Sequence, residues 1–178
     1  TVLSFCPRKR RRAMIQAGGM NGLWALRFAE HFERVLTFEP EPLLFDCHHR
    51  NTHMVGNIIR QHAALGEAPG RCSMNFKSLG SHTVIPGDTV DVITIDSLGL
   101  EDLDLLQLDL EGYEAKAIAG AEATIDRCKP LIQLEWIGFT ANYGDDPDLF
   151  AMRLAAMGYE KIANIKGGDI LLRHRSQR

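Results

Sequence analysis

"LLQLDLEGYEAKAIAG", residues 105–120, passes from an apolar run through two carboxylates and a glycine into an alanine-rich segment. The apolar run reads as a buried strand, and the segment after Gly112 reads as a helix. Asp109 and Glu111 fall at the junction. Side chains two apart on a strand leave from the same face, so these acids are neighbours if the strand persists through them. Like charges at that range repel and need cations, hydrogen-bond donors or a ligand beside them. The plainer alternative has Asp109 end the strand and Glu111 cap the helix at the positive end of its dipole. Glu114 is expected on the helix exterior.

Working outward, apolar runs and helical patterns alternate. "AMIQAGG" (13–19) reads as a short strand entering a glycine turn, and "NGLWALRFAEHF" (21–32) as a helix whose Leu23, Leu26 and Phe28 pack on a sheet. "RVLTFEPEP" (34–42) is a strand stopped by Pro40, "PLLFDCHHRNTHMVG" (42–56) a helix closed by Gly56, and "NIIRQHAAL" (57–65) a third strand. Strand, helix, strand, helix, strand predicts a mostly parallel sheet with helices on both faces. Residues 70–97 hold short runs broken by Gly and Pro, which predict small strands. The helix after Gly112 is expected to run to about Lys129. "PLIQLEW" (130–136) gives a further strand and "DPDLFAMRLAAMGY" (146–159) a helix with Pro147 in its first turn. "EKIANIKGGDILLRH" (160–174) predicts a closing antiparallel hairpin around Gly167 and Gly168.

Doubly wound sheets bind nucleotides where the first strand meets the first helix, because glycine lets the backbone approach a ligand closely. Here that turn is Gly18-Gly19-Met20-Asn21-Gly22. Glu39, about 20 residues on at the tip of the second strand, is placed to take both hydroxyls of a ribose. Turn and acid together point to an adenosine-containing ligand. Neither GxGxxG nor a Gly-Lys-Ser/Thr ending is present, which argues against NAD and ATP. A closing hairpin after parallel strands is the ending expected of S-adenosylmethionine-dependent methyltransferases.

The bulk numbers fit one domain. The 178 residues suffice for a single core, and 45% hydrophobic with 24% charged residues is the composition of a soluble globule. A net charge of -3 provides no overall field for nucleic acid or an anionic membrane. "PRKRRR" (7–12) is a local exception, read as a solvated basic N-terminal arm over residues 1–12 ahead of a domain over 13–178. Four cysteines, scattered without a CxxC pair, fit reduced thiols and a cytoplasmic location. No apolar stretch approaches the roughly 20 residues of a membrane span. The chain opens on Thr1 rather than Met, which leaves room for a segment upstream.

Four stretches are similar to the FkbM family of methyltransferases: "IQAGGMNGLWALRFAE", "TFEPEP", "VITIDSL" and, most specifically, "LLQLDLEGYEAKAIAGAEATIDRCKPLIQLE". The resemblance runs from Ile15 to about Glu135. It implies a Rossmann-like α/β class I methyltransferase fold and S-adenosylmethionine as cofactor. It further implies O-methylation of a hydroxyl on a sugar, polyketide or other small molecule. The chain departs from the family pattern at Gln16, where an acid is usual, at Gly19-Met20 in place of Ala-Asn, and at Gln107 in place of a lysine. The resemblance places Asp109 and Glu111 at the carboxyl edge of the sheet, beside the cofactor.

On this reading Gln16, Ala17, Gly18, Gly19, Asn21, Gly22, Glu39, Pro40, His62, Ala63 and Asp109 bind the cofactor. Asp109 is the first choice for a general base or for orienting the acceptor, with Glu111 and Glu135 after it. Glu135 is alternatively a surface acid beside Trp136, and His62 a structural histidine. Asp109 and Glu135 could cradle a divalent ion, but two acids from separate strands assign no metal. His49 and His53 have zinc-like helical spacing without the remaining ligands. "GDDPDL" (144–149) reads as a capped helix start. The expected partner is a small-molecule or glycan acceptor. With little sequence ahead of the first strand, a cover over the site from that side is expected to be short or absent, leaving closure to a homo-oligomer or a large substrate. Alternative readings are a cofactor-binding module without turnover and, less favoured, a nucleic-acid methyltransferase.

Overall fold

The computed structural model describes residues 2–78, 81–135, 139–165 and 168–177 of the chain. Its main sheet comprises β1 (Ala13–Ala17), β2 (Arg34–Phe38), β3 (Ile58–Gln61), β7 (Leu103–Leu108), β8 (Leu131–Leu134), β9 (Tyr159–Asn164) and β10 (Ile170–His174). The order is β3-β2-β1-β7-β8-β10-β9. The first five strands are parallel, and β10 lies antiparallel to both β8 and β9. The closing hairpin is as expected from the sequence; Gly167, placed at its turn, lies outside the described residues.

Alternation along the strands sends side chains to two cores. On one face Ile15, Leu106, Leu108 and Ile132 pack with α3 (Glu114–Ala119), α4 (Glu122–Cys128) and α5 (Pro147–Ala156). On the other, Met14, Leu105 and Leu171 meet Ala25 and Phe28 of α1 (Leu23–Ala29). Helices thus cover both faces, as the alternating pattern predicts. In α1 the buried stripe is Ala25 and Phe28, whereas Leu23, expected inside, is 60% exposed at the first turn. The helix α2 (Pro42–Thr52) starts at Glu41, whose carboxylate accepts the Leu44 N–H at 2.7 Å. Asp146 caps α5 by accepting from Asp148 and Leu149, as "GDDPDL" suggests.

Three segments differ from the sequence reading. "NIIRQHAAL" is two strands: β3 pairs with β2, and after His62 the chain enters β4 (Ala63–Leu65), which pairs with β6 (Ser81–Ile93). The short runs of 70–97 merge into one long hairpin, β5 (Gly70–Ser78) and β6, forming a second sheet in the order β4-β6-β5. Pro86 and Gly87 sit where the register slips between Cys72 and Ser73, so the breakers mark a bulge rather than a strand end. The helix after Gly112 breaks between Ala119 and Glu122. A Cβ on Gly120 would lie 2.0 Å from the Gly66 carbonyl oxygen, so the backbones touch there.

The N-terminal segment is also not a solvated arm. Val2 and Cys6 are buried, Arg11 donates to the carbonyls of Cys6 and Leu3, and Arg10 and Arg12 clamp the buried Asp104. Burying apolar Val2 and Cys6 and pairing the arginines with a buried acid outweighs the solvation of an exposed basic run.

Candidate active site

The parallel strands end together at one edge, and a cleft opens there. One wall is the carboxyl edge: Ala17, Gly18 and Met20 after β1, Phe38, Glu39 and Pro40 after β2, and Asp109, Leu110 and Glu111 after β7. The opposite wall is the second sheet, through Ala63–Leu65, Met74, His82 and Val84. Tyr113 closes one end. Its ring meets Tyr143 edge-on at 4.9 Å between centroids, and the Tyr143 hydroxyl accepts the Val84 N–H, which ties the turn to the hairpin.

The β1–α1 turn is shaped by packing. Gly18 has φ 83°, and a Cβ there would sit 2.1 Å from the Asp109 carbonyl oxygen. Gly19 and Gly22 make room for His48 of α2 instead: added Cβ atoms would lie 2.7 Å from His48 Nδ1 and 3.0 Å from its Cδ2. His48 is 1% exposed, and neither ring nitrogen reaches a hydrogen-bond partner. Burial drives its pKa down to about 4, with Arg60 adding to the effect and the Gly19 backbone opposing it.

Glu39 is buried at the tip of β2, where its carboxylate accepts the N–H of Met20 at 2.6 Å and of Glu41 at 2.8 Å. Burial outweighs those two donors and lifts its pKa to about 7. Gln16 lies one layer below. Fully buried, it donates to the Gly18 carbonyl at 2.9 Å and accepts from the Thr37 hydroxyl at 2.7 Å, so it braces the turn without lining the cleft.

The opening question about the two acids now has a geometric answer. The strand stops at Leu108, but its ladder runs one residue further, with the Asp109 N–H donating to the Ala17 carbonyl at 3.1 Å. Glu111 has φ 54° and Gly112 φ 101°, a left-handed pair that folds the chain back. Oxygens of Asp109, Glu111 and Glu135 consequently lie within 4.8 Å of one another. Asp109 opens into the cleft, yet the surrounding walls raise its pKa by desolvation, aided by Asp169 and Glu111 and opposed by a hydrogen bond with Glu135. Glu135 is pushed up to about 8 by desolvation and by Asp109, Glu111 and Glu114. The two titrate as a pair sharing a proton.

Glu114, expected on the helix exterior, is 1% exposed. Its carboxylate accepts the Leu110 N–H at 2.7 Å, and burial lifts its pKa to about 7. This bond closes the turn that carries Asp109 and Glu111. Glu114 thus serves the Leu110 N–H ahead of α3.

Of the residues singled out from sequence, Ala17, Gly18, Glu39, Pro40, Ala63, Asp109 and Glu111 line the cleft, and Glu135 joins the last two from β8. Gln16, Gly19, Asn21, Gly22 and His62 support it from behind or beside. The Asn21 side chain accepts the Leu23 N–H at 3.3 Å. His62 stacks on Phe45 at 4.8 Å and meets the Pro40 carbonyl at 3.2 Å. Trp136, weighed as a neighbour of Glu135, lies outside the described residues. His49 and His53 stack at 5.9 Å and gain no third metal ligand among the described residues. Met74, His82 and Val84 escaped the sequence reading because only the hairpin fold brings them to the cleft.

A parallel sheet with a reversed closing hairpin, a glycine turn and a buried acid at the next strand tip define a class I methyltransferase fold. The FkbM methyltransferase domain matches residues 18–161, and the chain belongs to that family, as its motifs suggested. Similar solved structures include an FkbM methyltransferase from Methylobacillus flagellatus KT, at TM-score 0.65 and 20% identity over 93% of this chain and 44% of that one. An rRNA methylase from Streptococcus thermophilus follows at TM-score 0.56 and 11% identity, covering 93% of this chain and 87% of that one. A TehB-like SAM-dependent methyltransferase from Corynebacterium glutamicum gives 0.51 and 16%, covering 97% of this chain and 82% of that one. The chain therefore spans less than half the length of the Methylobacillus protein. No curated protein matches the sequence. S-adenosylmethionine is the cofactor of this family, and the cleft suits it, with the buried Glu39 carboxylate and an apolar wall.

Proposed function

We propose that this domain binds S-adenosylmethionine in the cleft and methylates a hydroxyl of a small molecule or glycan. The observation that carries the reading is the convergence of Glu39, Gly18 and Asp109 on one cleft. Glu39 would hold the ribose hydroxyls, and Ala63 and Leu65 give an apolar surface for the adenine. The bound cofactor supplies an electrophilic methyl group. The acids at the end of β7 and β8 hold the acceptor: Asp109 orients its hydroxyl in line with the methyl and takes its proton, while Glu135, protonated near neutral pH, donates to Asp109 and keeps it in place. Positioning supplies most of the rate, and a base adds roughly 10² to 10⁴-fold. A nucleic-acid acceptor is less favoured, because Arg10, Arg11 and Arg12 are engaged within the fold.

Calorimetric titration of S-adenosylhomocysteine into the protein and into Glu39→Ala tests the reading. Micromolar binding, weakened at least about tenfold in the variant, is expected, equal to ~1.4 kcal/mol. Absence of binding to either protein would remove the assignment.

A further inference from the structure

Three side chains of α2 hold the cleft from behind. Phe45 stacks on His62, whose ring meets the Pro40 carbonyl at 3.2 Å, next to Glu39. Asn51 Nδ2 donates to the Asn21 carbonyl at 2.8 Å. His48, between them in sequence, enters the glycine turn itself. A Cβ on Gly19 would lie 2.7 Å from its Nδ1 and 2.8 Å from its Cε1, and one on Gly22 would lie 3.0 Å from its Cδ2. One ring therefore lies against both arms of the turn. Its own backbone is tied down as well: the Thr52 hydroxyl donates to the His48 carbonyl at 2.8 Å, and Arg60 donates to the Thr52 carbonyl at 2.9 Å.

The turn passes that contact to the cleft within one residue. The Gly19 N–H donates to the Phe38 carbonyl at 2.9 Å, and the following N–H, of Met20, donates to Glu39 at 2.6 Å. The Gly22 N–H closes the turn on the Gly19 carbonyl at 2.9 Å. A shift of Gly19 away from His48 thus shifts the donor that aims the Glu39 carboxylate. Neither imidazole nitrogen has a hydrogen-bond partner among the described residues, and burial keeps the ring neutral near neutral pH. The ring acts through its shape, and a close-packed interior responds to a change of even one methylene.

We propose that His48 is a positioning residue for the cofactor: its ring wedges beneath Gly19 and Gly22 and sets where Glu39 meets the ribose. The inference rests on the cofactor reading above. Gly19 is then glycine because of His48, and the two positions must change together. Gly22 is held to glycine on other grounds as well, since its φ is 83° and an added Cβ would lie 2.7 Å from Thr52 Cγ2.

Titration of S-adenosylhomocysteine into folded variants, well below their melting temperatures, tests this. A ring that only stabilised the fold would change Tm and leave affinity alone. His48→Ala is expected to weaken binding about fivefold, and Gly19→Ala at least about tenfold. The double variant is expected to bind within about twofold of His48→Ala, because the added Cβ enters the space the ring left. Gly22→Ala is expected to stay weak with or without His48. A His48→Ala protein that melts early yet binds as tightly as wild type overturns the proposal, and so does a double variant whose losses multiply. Rescue of Gly22→Ala by His48→Ala would mark general loosening and overturns it too. Should Gly19→Ala alone not fold, the double variant is compared with His48→Ala, and a further loss of about tenfold overturns the proposal. Wild-type protein that binds no S-adenosylhomocysteine removes the cofactor reading and this inference with it, whereas wild-type binding with multiplying losses removes this inference alone.

Discussion

The two ends of β7 carry the same kind of side chain in opposite surroundings. Asp104, near the amino end, has no exposed side-chain surface and receives the Arg12 N–H at 3.0 Å, Arg12 Nε at 2.9 Å and Nη2 at 2.7 Å, with Arg10 Nε at 3.3 Å. Burial alone would raise its pKa, but these bonds and charges hold the carboxyl below its ordinary value. Asp109, just past the carboxyl end, is surrounded by acids and shifted upward. One end uses charge to fasten the N-terminal segment to the sheet. The other crowds acids beside a cleft, a local conflict of the sort that functional sites tolerate.

The contrast can be broken at either end. The largest effect is expected from Gly18→Ala, which forces a Cβ against the Asp109 carbonyl at a left-handed φ. A loss of about 3 kcal/mol is expected, lowering Tm by roughly 10 °C in a melting experiment. Arg12→Ala should cost about 2 kcal/mol, because the buried acid keeps only the residue-12 backbone N–H and the longer Arg10 bond; Arg12→Lys should recover part of it. An unchanged Tm would show that those two donors suffice. At the other end, Glu135→Gln should stabilise the protein by about 1 kcal/mol at alkaline pH, after allowing for solvent screening, and by almost nothing in acid.

The smallest effect is the pH slope of the wild type. Glu39, Glu114 and Glu135 have pKa values of about 7, 7 and 8, above ordinary carboxyls. A raised carboxyl holds its proton longer in the folded state, so its stabilisation is complete below the unfolded value and is lost as pH climbs to the folded one. His48 works the other way, losing its contribution as pH falls from 6.5 towards about 4. From about pH 6.5 to 8 the carboxyls therefore dominate, and Tm should fall. A flat profile there would remove the crowded-acid picture.

Much of this contrast could be read in the sequence. The runs of β1, β2, β7 and β8 are short, mostly apolar and flanked by turn residues, so pattern alone located them. Glu39 and Asp109 followed from their positions at strand tips. What escaped depends on distant partners. The inward turn of Glu114 follows from the Leu110 N–H, and the split at His62 from β6 offering Ala63–Leu65 a second sheet to join. The engagement of Arg10 and Arg12 requires Asp104, more than 90 positions away. The glycines of the first turn were legible as a close approach. That two of them admit His48 rather than a ligand was not, since no local pattern announces which atoms will fill the space.

The β5–β6 hairpin belongs to the smaller sheet, yet it supplies Met74, His82 and Val84 to the wall facing the strand tips. On the proposed reading, the turn that holds the cofactor and the hairpin wall come from separate stretches of the chain. Exchange of one contiguous segment could retune which molecules the cleft admits while the glycine turn and its acid stay as they are, so new substrates can be tried without reinventing the reaction.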